Sequence, residues 1–141
     1  MKLPDINVLL HAVNQDAPQH GSARHWVVAA FAETGGVALA WAALLGFVRL
    51  STRRGILNQP LPVADALGLM HDWLAHPNSQ LVHPGARHEA LVSRLLLGAG
   101  TAGNLTTDAH LAAMAIEHGA TLVSFDRDFE RFAGLSFERL V

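Results

Sequence analysis

Ala120-Thr121-Leu122-Val123-Ser124-Phe125-Asp126-Arg127-Asp128-Phe129 holds the pattern that decides the fold. A short apolar run, Thr121 to Val123, is bounded by Gly119 before it and by an acid, Asp126, directly after it. That is a buried strand ending in a polar turn. Leu3-Pro4-Asp5-Ile6-Asn7-Val8-Leu9-Leu10 repeats the scheme at the other end of the chain, with Leu3 to Asp5 as a short strand and a helical apolar face from Val8 to Val13.

Between these runs, strand and helix signals alternate. A helix is expected from His20 to Ala32, where Ala23, Trp26, Val27, Ala30 and Phe31 recur at three- and four-residue spacing, and Gly35-Gly36 ends it. Val37 to Ala40 reads as a strand, and Leu44 to Leu50 as a helix closed by Arg53-Arg54-Gly55. Val63 to Leu74 reads as a helix with Ala66, Leu67, Met70 and Leu74 inward, Gln80 to Val82 as a strand, and His88 to Leu97 as a helix. Thr106 or Thr107 is the expected cap of the helix that carries Asp108, Leu111, Ala112, Ala115 and Ile116, with Gly119 at its end. A short helix from Asp128 to Phe132 and a strand near Phe137 follow. The alternation is that of an α/β domain with a mostly parallel sheet flanked by helices, and the 141 residues suit a single domain over 1–141.

Composition narrows the chemistry. Half the residues are hydrophobic and 16% are charged, the balance of a compact domain and not of a disordered chain. The absence of cysteine removes disulfides, thiolate catalysis and cysteine zinc sites, and agrees with a cytoplasmic setting. No apolar leader opens the chain, and the longest uncharged stretch, Thr34 to Val48, is interrupted by glycines and too short to span a membrane, so no membrane partner is expected. The formal net charge of −2 is unlike that of a protein that coats nucleic acid, but suits one whose own carboxylates hold a cation against a phosphate.

Ligand sites of open parallel sheets lie beyond the carboxyl ends of the strands. Asp5 and Asp126 each follow an expected strand, and Asp108 lies in the first turn of a helix that precedes one. Each acid has a structural reading: Asp5 as a helix cap, Asp108 as a partner of a helix dipole, Asp126 with Asp128 as turn residues. Together they form a hard-oxygen set suited to Mg²⁺, with Mn²⁺ as an alternative. The nine histidines show no pair at the four-residue helical spacing of a zinc site, and His110 is expected to be partly buried against a neighbouring helix. Arg49 and Arg53, four apart on one helix face, are candidates for gripping phosphates near the acids, with helix-end charge complementarity as the alternative. Trp26, Trp41 and Trp73 fall on apolar faces, as core or dimer contacts.

Four segments resemble, in order, those of PIN-domain proteins, specifically VapC-type toxins of toxin–antitoxin pairs of the mycobacterial type. These are Leu3 to Leu10, Trp41 to Thr52, Asn104 to Ala113 and Ala120 to Phe129. The resemblance implies a PIN-like fold and a Mg²⁺-dependent endoribonuclease that cleaves transfer or ribosomal RNA by metal-activated water. It also implies a homodimer silenced by a VapB-type antitoxin. By position, Asp5, Asp108 and Asp126 are the expected catalytic metal ligands, Asp128 a helper, and Asn7 and Ser124 the residues that hold the carboxylates. The chain departs from the pattern where many PIN nucleases carry a glutamate, at about Leu44: no acid occurs between Glu33 and Asp65. The competing reading is a non-catalytic RNA- or ribosome-binding growth inhibitor with a decayed metal site. A phosphatase of the Asp-x-Asp type is disfavoured because residue 7 is Asn.

Overall fold

A computed structural model describes residues 1–141. Five strands form one sheet: β1 (Lys2–Pro4), β2 (Val37–Ala40), β3 (Ser79–Val82), β4 (Thr121–Ser124) and β5 (Phe137–Arg139), in the order β3-β2-β1-β4-β5. Every pairing is parallel, so the sheet is wholly parallel, where the sequence suggested mostly so. The helices are α1 (Ile6–Val13), α2 (His20–Ala32), α3 (Trp41–Thr52), α4 (Val63–Ala75), α5 (His88–Ala99) and α6 (Thr106–Glu117), with 3₁₀ turns at Gly103–Leu105 and Arg127–Arg131.

Strand alternation divides the core between the two faces of the sheet. Val37, Leu39 and Val123 face α1 to α4 and join Val8, Leu9, Leu44, Phe47 and Trp26. Ala38, Ala40 and Leu122 face the other way, with Leu3, and join Leu91, Leu95, Leu111, Met114, Phe129 and Phe132. On that side α6 presents Ala109, Ala112, Ala113 and Ala115, all fully buried, so helix and sheet approach closely. Trp26 is a core residue, Trp73 packs edge-on against Phe47 at 4.9 Å, and Trp41 is exposed.

Two details position the functional edge. Pro4 has no N–H to donate, and β1 pairs with β2 only at Lys2–Val37, whereas it pairs with β4 along its whole length. The one ion pair, Lys2 Nζ to Glu138 Oε2 at 2.9 Å, lies at the opposite, amino-terminal end of β1 and spans to β5.

Three expectations need correction. Neither Thr106 nor Thr107 caps α6: its N-cap is Leu105, in helical conformation and without a side-chain bond, because the 3₁₀ turn Gly103–Leu105 leads straight into the helix. Leu67 is exposed; α4 turns Ala66, Leu69, Met70 and Leu74 inward. The helix expected at Asp128 to Phe132 is the 3₁₀ turn Arg127–Arg131. No helix is long and apolar enough to cross a membrane.

Candidate metal centre

The strand order reverses direction between β1 and β4, since β1 leads to β2 on one side while β4 and β5 lie on the other. The crevice beyond the carboxyl ends of two such strands is where ligands bind in open parallel sheets. Asp5 directly follows β1 and Asp126 lies two residues beyond β4, so the two acids flank that crevice.

Ser124 ties them together. Its hydroxyl is fully buried and donates to Asp5 Oδ2 at 2.8 Å. Ser124 Oγ also accepts from Asn7 Nδ2 at 3.0 Å and from the Asp126 backbone N–H at 3.0 Å. Asn7 Oδ1 in turn accepts the Phe125 N–H at 3.3 Å. Asp5 Oδ1 accepts the N–H of Ile6 at 2.7 Å, so Asp5 is the N-cap of α1 as well as a member of the site. Asp126 Oδ1 accepts the Asp128 N–H at 2.9 Å and caps the 3₁₀ turn. The turn chemistry that would explain each acid singly is present, and it also fixes where the remaining oxygens face.

Asp108 enters from α6. Its carboxyl is pushed up to about 6, first by burial and then by the charges of Asp5, Asp126 and Asp128. Asp5 is raised too, mainly by burial and to a lesser degree by Asp126, against the lowering effect of its bonds to Ser124 and Ile6. The structure thus brings Asp5, Asp126 and Asp128 within electrostatic reach of Asp108, with Asn7 and Ser124 bonded to one another and Ser124 to Asp5 and the Asp126 backbone. Nearby carboxylates without a neutralising partner repel, and a proton or a cation relieves them. The donor set, all hard oxygen, fits Mg²⁺ or Mn²⁺. The acids do not yet stand at closed ligand spacing: no group of three Asp, Glu or His side chains is placed to hold a metal ion.

Leu44 is 0% exposed and belongs to the apolar cluster with Val8, Leu9 and Phe47. The α3 residue that meets the start of α1 is Gly46, where a Cβ would lie 2.5 Å from Ile6 Cδ1. The Ile6 side chain therefore occupies the space that a side chain at Gly46 would enter. Arg49 lies one turn beyond Gly46 and Arg53 a further turn on, about 10 Å along the axis. Both are exposed and form no ion pair, and Arg53 is the C-cap of α3.

Two contacts were not legible in the sequence. Glu117, at the end of α6, accepts the backbone N–H groups of Gly85 (2.7 Å) and Arg87 (3.1 Å) and so anchors the segment between β3 and α5. His110 Nδ1 lies 2.8 Å from His88 Nε2 on α5, which accounts for its partial burial.

Ser124→Ala is expected to leave Asp5 Oδ2, Asn7 Nδ2 and the Asp126 N–H short of a partner. The stability loss is on the order of 1–3 kcal/mol. The loss of cation affinity is roughly 10–100-fold, as for other groups that orient a ligand. Urea unfolding and Mn²⁺ titration measure the two; an unchanged affinity would show that Ser124 only packs.

The PIN-domain family model matches residues 2–135. Ribonuclease VapC37 of Mycobacterium tuberculosis is 45% identical over 139 residues, covering 99% of this chain and 96% of that protein. Ribonuclease VapC33 of the same species is 43% identical, covering 97% and 96%. The crystal structure of Mycobacterium tuberculosis VapC20, described as a sarcin–ricin loop cleaving toxin, shares the fold with a TM-score of 0.69 at 18% identity, over 96% of each chain. VapBC2 from Rickettsia felis, bound to a DNA fragment from its promoter, gives 0.69 at 17% identity, over 99% and 98%. The chain belongs to the PIN-domain family, among its VapC-type members.

Proposed function

We propose that this protein is the toxin of a type II toxin–antitoxin pair and acts as a cation-dependent endoribonuclease on cellular RNA, transfer or ribosomal RNA being the expected class. The observation that carries the reading is the gathering of Asp5, Asp108, Asp126 and Asp128 at the β1/β4 crevice, with Ser124 joining two of the strands' ends. The names of the VapC relatives, and a solved neighbour described as a sarcin–ricin loop cleaving toxin, support it.

Asp5, Asp108 and Asp126 would hold Mg²⁺ or Mn²⁺, with Asp128 at the rim. The bound ion would supply neutralisation of a phosphoryl oxygen and a more acidic water. The chain's own residues do the positioning. Ser124 and Asn7 fix the rotamer of Asp5 and the entry of the Asp126 segment. Half-burial of Asp108 limits competing water, and its raised carboxyl holds a proton in mildly acid solution that an incoming ion must displace. Because the folded carboxyl is raised to about 6, cation affinity is expected to climb with pH up to and through 6 and to level off above it. Calorimetric titration in buffers of different ionisation heat checks both the slope and the released proton; a flat affinity between pH 5 and 7 would contradict it.

Trp41 with Leu45 on α3, and Val63 with Leu67 on α4, are exposed apolar pairs one turn apart. They support a homodimer and a VapB-type antitoxin as partners, in the cytoplasm where RNA is available. Trp41→Glu with Leu45→Glu is expected to give a monomer by light scattering; an unchanged mass would move the interface elsewhere.

Incubating the purified protein with total cellular RNA, with Mg²⁺ or with EDTA, and sequencing the new ends tests the activity. Cleavage at defined sites with Mg²⁺ alone supports the proposal. RNA binding and growth arrest that persist in EDTA without new ends would favour the non-catalytic inhibitor.

A further inference from the structure

A cleft of about 320 Å³ lies away from the acidic crevice and is lined by Arg94, Leu95 and Gly98 of α5 and by Arg131, Ala133 and Gly134 after the 3₁₀ turn. Its volume is at the lower end of those that take small ligands. Two guanidinium groups face this one space, and neither meets a carboxylate, since the chain's only ion pair is Lys2–Glu138. Arg131 Nη2 donates to the carbonyl of Ala99 at 3.3 Å, which pins it to the end of α5 while leaving its other donors free. Arg94 makes no hydrogen bond to the protein; its Nη2 lies 3.6 Å from where a Cβ on Gly134 would stand, and the turn of Gly134 (φ +84°) gives it that room. Two unpaired forks in a concave site, in a chain of net charge −2, mark an anion site and not an evenly solvated basic face.

Both walls of the cleft run directly into the acidic site. One wall continues from Ala99 through Gly100 to Leu105 into the first turn of α6, which carries Asp108. The other begins at Asp126 itself, the cap of the turn that ends in Arg131. Five residues of 3₁₀ helix span on the order of 10 Å. That is a distance a single strand covers within a few nucleotides.

We propose that Arg94 and Arg131 bind a backbone phosphodiester of the RNA a few nucleotides from the scissile bond, and so set the register of the strand across the acids. This rests on the ribonuclease reading. The ligand is a polynucleotide because only a continuous strand reaches both the cleft and the acids.

Binding of a labelled single-stranded RNA to the full-length protein is measured in Ca²⁺ over a range of salt, alongside cleavage of the same RNA in Mg²⁺. The proteins compared are the wild type, Arg94→Gln, Arg94→Lys with Arg131→Lys, and Arg24→Gln as a control for lost charge on α2. Arg94→Gln is the primary variant because Arg94 has no bond whose loss could unfold the chain. It is expected to weaken binding and to flatten the salt slope by about 0.7, the share of one phosphate contact on a single strand. Arg24→Gln is expected to leave the slope unchanged, and the double lysine variant to keep the slope but shift or blur the cleavage position, because a point charge lacks the fork. Equal slopes and equal cleavage positions for wild type and Arg94→Gln would overturn the cleft site while leaving the ribonuclease intact. A wild type that neither binds nor cleaves RNA would overturn the ribonuclease reading, and the cleft site with it.

Discussion

Asp5→Asn is expected to lower RNA cleavage by more than about 10²-fold, beyond the range found for groups that merely orient a metal ligand. Asp5 is the most enclosed of the acids, 7% exposed, and its two oxygens already take one hydrogen bond each, from Ile6 and from Ser124. Asparagine preserves the shape but offers one acceptor where two donors converge, and it removes the charge that a cation would meet first. Single-turnover cleavage at saturating Mg²⁺ measures the loss, with circular dichroism to show that the fold persists. A folded variant within tenfold of wild type would place the ion elsewhere.

Asp108→Asn provides the complementary result. It is expected to lose cleavage as well, yet to raise stability in the absence of metal. The folded carboxyl is raised to about 6 from its ordinary value of 3.8, so the native state binds the proton more tightly than the unfolded chain does. The sign follows: this group favours the fold at pH below 3.8, and that contribution declines as pH rises through 6. Removing it relieves a penalty present at neutral pH. Asp108 is only partly buried, and solvent screening reduces the gain to about 1 kcal/mol, roughly 3–4 °C in Tm. Under the proposed function, the site trades stability for cation affinity.

Leu44→Glu is expected to have the largest effect on the fold. Leu44 is wholly enclosed among Val8, Leu9, Phe47 and their neighbours, and no cation lies in that cluster. A carboxyl there loses the burial of leucine and must either stay charged without a partner or remain protonated. The cost is on the order of 4 kcal/mol or more, a large share of the 5–15 kcal/mol typical of a domain. Urea unfolding is expected to show it, with a milder loss in acid than at neutral pH because protonation spares the charge. Gain of activity in a stably folded Leu44→Glu would contradict the core assignment. The acid absent from α3 therefore cannot be restored at this position, and at Gly46 it meets Ile6.

What the sequence made legible depended on range. Strand β2 could be placed because its short apolar run follows Gly35-Gly36, and β4 because its run lies between Gly119 and Asp126; Asp5 and Asp126 could be assigned to the sheet's carboxyl edge because each comes just after an apolar run. The cap of α6 was misread because Thr106 has cap chemistry, while Leu105 enters the helix from a 3₁₀ turn and leaves no extended residue for a cap to occupy. Leu67 was placed inward because the apolar positions on α4 outnumber those its neighbours cover. Glu117 with Gly85, and Arg94 with Arg131, are 32 and 37 residues apart and carry no local signature; only folding shows that they meet.

Lys2 is the only lysine in the chain, and the remaining nine cations are arginines. Its position at the amino-terminal end of β1, paired with Glu138, puts the side-chain amine at the opposite end of the sheet from the four acids. Amine-directed coupling through the Lys2 side chain would thus attach the protein to a surface in one orientation, with the acidic crevice outward. A sensor chip prepared that way presents every molecule's site to the solution, with no tag or added cysteine.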